Sequence, residues 1–104
     1  MRQKDKTYLV YYQRPGPDFT FFERSDLTLA GLRTTHMFLR RVKATGREQV
    51  FAALQGENWS SGSEARALIE KKGLQHTSMS VNDVVRDSDG SYWQCVDTGW
   101  RRLQ

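Results

Sequence analysis

Hydrophobic positions alternate near the two ends of the chain and recur at helical spacing in its middle. In KTYLVYYQ (6–13), Tyr8, Val10 and Tyr12 fall on one face, and Leu9 and Tyr11 on the other. Apolar residues on both faces predict an inner strand. RPGPD then breaks the pattern, because Pro15 and Pro17 lack amide donors and Gly16 permits a turn. FTFFER (19–24) resumes an extended pattern with Phe19 and Phe21 on one side, which predicts an opening hairpin. SDLTLAGLR fits two periods at once: Leu27, Leu29 and Gly31 alternate, whereas Leu29 and Leu32 share a helical turn. It is expected to be irregular. TTHMFLRRVKA is expected to be a strand, with Met37 and Leu39 on one face and Phe38 and Val42 on the other.

Two short helices are expected next, each announced by a capping box. Thr45 and Glu48 have the S/T-x-x-E spacing, in which a hydroxyl accepts from the Glu48 amide and the carboxylate reaches back. Arg47, Val50, Phe51 and Leu54 form one stripe, and Gly56 is placed to close the helix. Ser61 and Glu64 repeat the box; Ala65, Leu68 and Ile69 form the second stripe. Gly73 is the stop, and Leu74 stands where the apolar contact of such a stop belongs.

The last third returns to alternation. SVNDVVR reads as a strand with a bend at Asn82-Asp83, since both residues tolerate left-handed geometry. Asp89-Gly90 is a strong hairpin signal, SYWQCVD the returning strand, Thr98-Gly99 a second turn and WRRLQ a final strand. In 91–97, Tyr92, Gln94 and Val96 face one way and Trp93 and Cys95 the other. Trp100 is expected beside Trp93 or Tyr92, chiefly as core, although exposed rings on such a meander would make a stacking platform. The expected fold is a single α+β domain over residues 1–104: an antiparallel sheet or small, partly open barrel with two short helices. Its order is ββ(β)ααβββ, and it ends in a three-stranded meander.

Composition bounds the function. With 104 residues, 38% hydrophobic, the chain can build one modest core. No apolar run approaches the ~18 residues of a bilayer span. MRQKDKTYLV has no signal-peptide core, and the lone Cys95 cannot form an internal disulfide, so a cytoplasmic protein, away from membranes, is expected. The net charge of +4 is uneven: residues 1–47 hold ten Lys/Arg against four Asp/Glu, residues 48–104 six against eight. That asymmetry points to a polyanionic or acidic partner.

Arg40, Arg41, Lys43 and Arg47 concentrate the charge between the expected third strand and first helix, with Arg41 and Lys43 opposite Arg40. With Lys4, Lys6, Arg14 and Arg33 they are candidates for a groove that tracks phosphates. Trp59, in the polar loop GENWSSG, is the candidate partner anchor. Catalytic candidates reduce to Cys95 with His76 or His36, and Asp83 or Asp97 as orienter. A mid-strand cysteine beside Trp93 is better explained as a small buried hydrophobe, so no catalytic residue is assigned. The chain has no phosphate-loop motif, and its two histidines and one cysteine lie far apart, so neither a cofactor nor a metal is expected.

GLQHTSMSVNDVVRDSDGSYWQCVDTGWRRL resembles small plasmid and phage proteins of the YodL/KfrB-like group. The resemblance rests on Ser78, Met79, Ser80, Val81, Asp83 and Val84, then Tyr92, Gly99 and Trp100. Asn82 stands where that pattern has glycine. The resemblance implies a mobile-element accessory protein and carries over no catalytic residue. The expected activity is therefore a non-enzymatic binding module, monomer or homodimer, that contacts nucleic acid or a nucleoprotein complex. The alternatives are a protein-binding modulator of a host or defence factor, or a small Cys/His enzyme.

Overall fold

The computed structural model describes residues 5–17, 19–55 and 65–104. In chain order these form β1 (Lys6–Gln13), α1 (Leu32–Thr35), β2 (His36–Ala44), α2 (Arg47–Ala53), α3 (Ala65–Lys71), β3 (Val84–Arg86), β4 (Tyr92–Val96) and β5 (Gly99–Arg102). The strands make one open antiparallel sheet, ordered β2-β1-β3-β4-β5. The fold is α+β, the sheet does not close into a barrel, and β1 is an inner strand. Among the described residues no helix is long and apolar enough to cross a membrane.

Helices α2 and α3 cover one face. Val50, Leu54, Ala65 and Ile69 pack on Tyr8, Val10, Tyr12, Val42 and Val85, all buried. Each valine, leucine or isoleucine side chain buried there contributes about 1.5–3 kcal/mol. Helix α3 ends as its sequence dictates. Gly73 has φ +69°, its amide donates to Glu70 O at 3.0 Å, and that of Leu74 to Ile69 O at 2.9 Å. This is the paired-bond stop that favours glycine, and Leu74 tucks into the core behind it.

The β3–β4 hairpin also follows its sequence. Asp87 N donates to Ser91 O at 2.7 Å, Gly90 N donates to Asp87 O at 3.0 Å, and Gly90 takes φ +92°. Asn82 has φ +79°, the bend expected before β3.

Three expectations are corrected. Residues 19–24 are not a strand, so there is no opening hairpin. Both edges of β1 are occupied, by β2 and β3, which leaves FTFFER no ladder to join. Within β2, Leu39 and Val42 are both buried against the helices while Phe38 faces the other way. A register shift opposite Val10/Tyr11 makes Leu39 an extra residue, and a bulge of that kind reverses the alternation beyond it. The Thr45–Glu48 box does not form: Gly46 is the N-cap of α2, without a side-chain cap bond, so Thr45 stands one position too early. Glu48 still lies in the first turn, where a negative charge is favourable. Gly56 and the Ser61–Glu64 box lie outside the described residues.

Candidate nucleic-acid interface

The second face of the sheet is divided in two. One half is covered by residues 19–35, held less by apolar packing than by buried amides. Gln13, His36, Asn82, Asp83 and Gln94 are each at most 2% exposed. Asn82 Oδ1 accepts from Arg24 N at 2.8 Å, and its Nδ2 donates to Phe22 O at 2.7 Å and Thr20 O at 3.1 Å. Gln13 Nε2 also donates to Thr20 O, and Gln94 Nε2 to Arg24 O, at 2.8 and 2.9 Å. These side chains give the irregular backbone the partners that a neighbouring strand would supply. A small apolar cluster, Leu27, Leu32, Val84 and Leu103, seals the rest.

Asp83 ties this half to the turn before β3. Its carboxylate accepts from Gln13 N at 3.0 Å, from Ser80 N at 2.8 Å and from His76 Nε2 at 2.7 Å. The His76 ring stacks on Tyr12, centroids 4.5 Å apart, and meets the edges of Phe19 and Phe21. His36 Nε2 donates to Asn82 O at 2.6 Å while its Nδ1 faces the Thr35 hydroxyl at 2.8 Å. Burial pulls His36 below the ordinary histidine value of 6.5, against the smaller upward pull of that Asn82 contact.

The other half of this face is only partly covered: Tyr11 and Tyr92 are half-buried against the cluster of Leu27, Leu32, Val84 and Leu103, and Phe38 is exposed. Tyr11 on β1 contacts Phe38 on β2 and Tyr92 on β4, with centroids 5.6 and 5.8 Å apart. Phe38 is 40% exposed. Burial, and then the neighbouring Tyr92 phenol, raises Tyr11 above its ordinary value, so it stays a neutral ring at physiological pH. Cations frame the rings. The register sets Arg41 and Arg86 on either side of Leu9 and Lys43 beside Thr7, on the same face as Tyr11. The Arg86 guanidinium lies 5.5 Å from the Tyr92 ring centre. Lys72 wraps the β2 edge to donate to Phe38 O at 3.1 Å. Beside the rings is an open groove of about 600 Å³ lined by Tyr11, Phe38, Tyr92, Leu29, Arg14 and Arg33 among others, none of them acidic.

The four cations expected to act together are split between surfaces. Arg41 and Lys43 are exposed on the aromatic face. Arg40 pairs with Val10 on the helix-covered face, its Nε donating to Arg41 O at 3.3 Å. Arg47 is engaged: its Nη1 donates to Asp87 Oδ2 at 3.0 Å, and its guanidinium lies 3.9 Å from the Trp93 centroid. Trp93 and Trp100 pack against the helix-side core; Trp93 shares the face of Cys95 as expected, and Trp100 stands opposite Cys95 on β5. Trp59 and Lys4 lie outside the described residues. Tyr11, Phe38 and Tyr92 as one unit escaped the sequence analysis. The only signal was Tyr11 on the second face of an inner strand.

The thiol–imidazole alternative is only half assembled. Asp83 does bind His76, but both imidazoles are engaged away from Cys95. Burial, with the charges of Asp83 and Asp97, pushes the Cys95 thiol up to about 11, opposite to what a nucleophile needs. Among the described residues no group of three His, Cys, Asp or Glu is placed to hold a metal ion. No family model, curated protein or solved structure matches this chain.

Proposed function

We propose that the chain is a non-enzymatic binding module that takes single-stranded nucleic acid on the partly covered half of its sheet. Bases stack on Phe38, Tyr11 and Tyr92, and phosphates meet Arg41, Lys43, Arg86 and Arg33. One observation carries this reading: Tyr11 on the sheet touches Phe38 on one side and Tyr92 on the other, framed by cations, beside a groove with no acidic lining residue. Aromatic platforms accept any base because every base has a π face, and surrounding cations add a salt-dependent term. A duplex hides its base faces and should bind less well. The resemblance of residues 78–100 adds the proposal that this is a plasmid or phage accessory protein.

The test is fluorescence anisotropy with labelled single-stranded DNA, single-stranded RNA and duplex DNA at low and moderate salt. Single strands are expected to bind best. Phe38→Ala should weaken them by about 1–3 kcal/mol, and Arg41→Ala/Lys43→Ala should reduce the log–log salt slope by about 0.7 per lost contact. Arg40→Ala, on the other face, should have little effect. Binding that is salt-independent, or indifferent to Phe38→Ala, would end this reading.

A second reading, a protein-binding modulator, is favoured by Phe22 and Phe21, which are 84% and 56% exposed on the pinned loop. Retained nucleic-acid binding in Phe22→Ala, with loss of a captured protein partner, would favour it.

A further inference from the structure

Where the start of α2 meets the β4–β5 turn, on the side of the sheet away from the aromatic face, lies a second cleft of about 340 Å³. Phe51 and Trp100, both half-buried, wall it, and Cys95 lies at its floor. Glu48 and Asp97 are exposed on its rim. No basic residue lines it. Among the described residues neither rim carboxylate has an ion-pair partner. A third carboxylate stands close by, because Glu23 accepts from Asp97 N at 3.0 Å. The nearest cation in sequence, Arg47, is already paired with Asp87.

An aromatic wall and unpaired carboxylates together select a cation with a flat or apolar body. Indole faces attract cations through the ring quadrupole, and carboxylates fix a guanidinium through paired hydrogen bonds. The same molecule already contains this recognition one residue away. Arg47 lies on Trp93 at 3.9 Å while a carboxylate, Asp87, holds it at 3.0 Å. The same guanidinium lies 5.9 Å from the Trp100 centroid, but Arg47 does not line the Trp100 cleft, which repeats the wall and the acids with no basic lining residue. Lysine fits less well, since its ammonium is a compact, strongly hydrated charge that cannot stack.

We propose that this cleft binds an arginine side chain from a basic peptide segment of a partner protein. The guanidinium lies against Trp100, and Glu48 and Asp97 hold its N–H groups. The site is independent of the nucleic-acid reading, and the charges of the two sites are opposite. One face recruits a polyanion while the other recruits a basic protein segment.

The test is a two-dimensional amide and indole NMR titration of the full chain. The probes are three blocked tripeptides of arginine, lysine and citrulline, citrulline being the neutral isostere of arginine. The arginine peptide is expected to shift the Trp100 indole N–H and the Asp97 and Gly99 amides in a saturable way, leaving the Tyr11 and Phe38 amides unmoved. Glu48→Gln and Asp97→Asn, both at exposed positions, should keep the native spectrum and each weaken binding roughly tenfold. Trp100→Phe should weaken it less, as a poorer cation–π wall. Three outcomes would overturn the proposal: no saturable shift at Trp100 with the arginine peptide, equal binding of the citrulline peptide, or unchanged affinity in Asp97→Asn. Equal binding of the lysine peptide would reject guanidinium recognition in favour of plain charge attraction.

Discussion

The two faces of the sheet are held by different physics. On the helix-covered face Val10, Val50, Leu54, Ile69, Met79 and Val85 interlock with no more than 2% of any of them exposed. On the opposite face residues 19–35 are fixed by Gln13, His36, Asn82 and Gln94, and Asp83 holds Gln13 and His76 behind them, buried polar groups that each need a partner. Apolar packing is non-directional and tolerates repacking, whereas a buried amide or carboxylate either meets its partners or costs its full desolvation. The difference bears on function. A loop with no ladder of its own is locked in one conformation, and it covers only part of the sheet. It leaves Tyr11 and Tyr92 half-buried at its edge and Phe38 exposed, and it presents Phe21 and Phe22 outward.

The strongest challenge to this contrast is Asp83→Ala. It leaves His76 and the Gln13 and Ser80 amides without their acceptor, and should lower unfolding stability by about 3–5 kcal/mol in urea denaturation. Leu54→Ala on the apolar face should cost about 2–5 kcal/mol. A cost for Asp83→Ala well below that of Leu54→Ala would show that the polar cluster does not hold its half of the molecule.

Asn82→Gly separates backbone from side chain. Glycine suits φ +79° better than asparagine does. Yet the variant loses the bonds to Thr20, Phe22, Arg24 and Gln94. A net loss of about 1–3 kcal/mol is expected, with amide exchange quickening first in residues 19–24. If the variant were instead stabilised, backbone strain would outweigh the amide's contacts.

The smallest expected effect is on pH. The unfolded chain protonates His36 near 6.5, and the folded chain only at lower pH, because burial disfavours the charged ring. The unfolded state therefore binds more protons in the window below 6.5, and stability rises with pH there. The contribution is complete above about 6.5 and is lost as pH falls toward the folded value. The urea midpoint should drop between about pH 7 and pH 5, and His36→Gln should flatten part of that drop. An unchanged slope in His36→Gln would mean that His36 protonates as easily folded as unfolded.

Local rules were legible in the chain wherever one residue type serves one backbone geometry. Gly73 with Leu74, Asp89-Gly90 and Asn82 each took the conformation their chemistry favours. The stripe Val50, Phe51, Leu54 and the pair Ala65, Ile69 packed as their spacing required. The Thr45 box failed because two adjacent residues, Thr45 and Gly46, can both precede a helix, and packing of Val50 and Leu54 chose the later start. The Leu39 bulge left no local mark at all.

By itself, then, the sequence determined the α+β class, the closing meander, the helix stop and the split of Arg41 and Lys43 from Arg40, because short-range periodicity and turn chemistry carry them. Only the tertiary structure decided that FTFFER is a pinned loop, that Arg47 serves Asp87 and Trp93, and that Tyr11, Phe38 and Tyr92 meet. Those outcomes depend on which strands neighbour β1 and on partners such as Asn82 and Gln94, some sixty to seventy residues away. Long-range pairings of that kind are fixed only by the competition of whole elements for the same sheet edge.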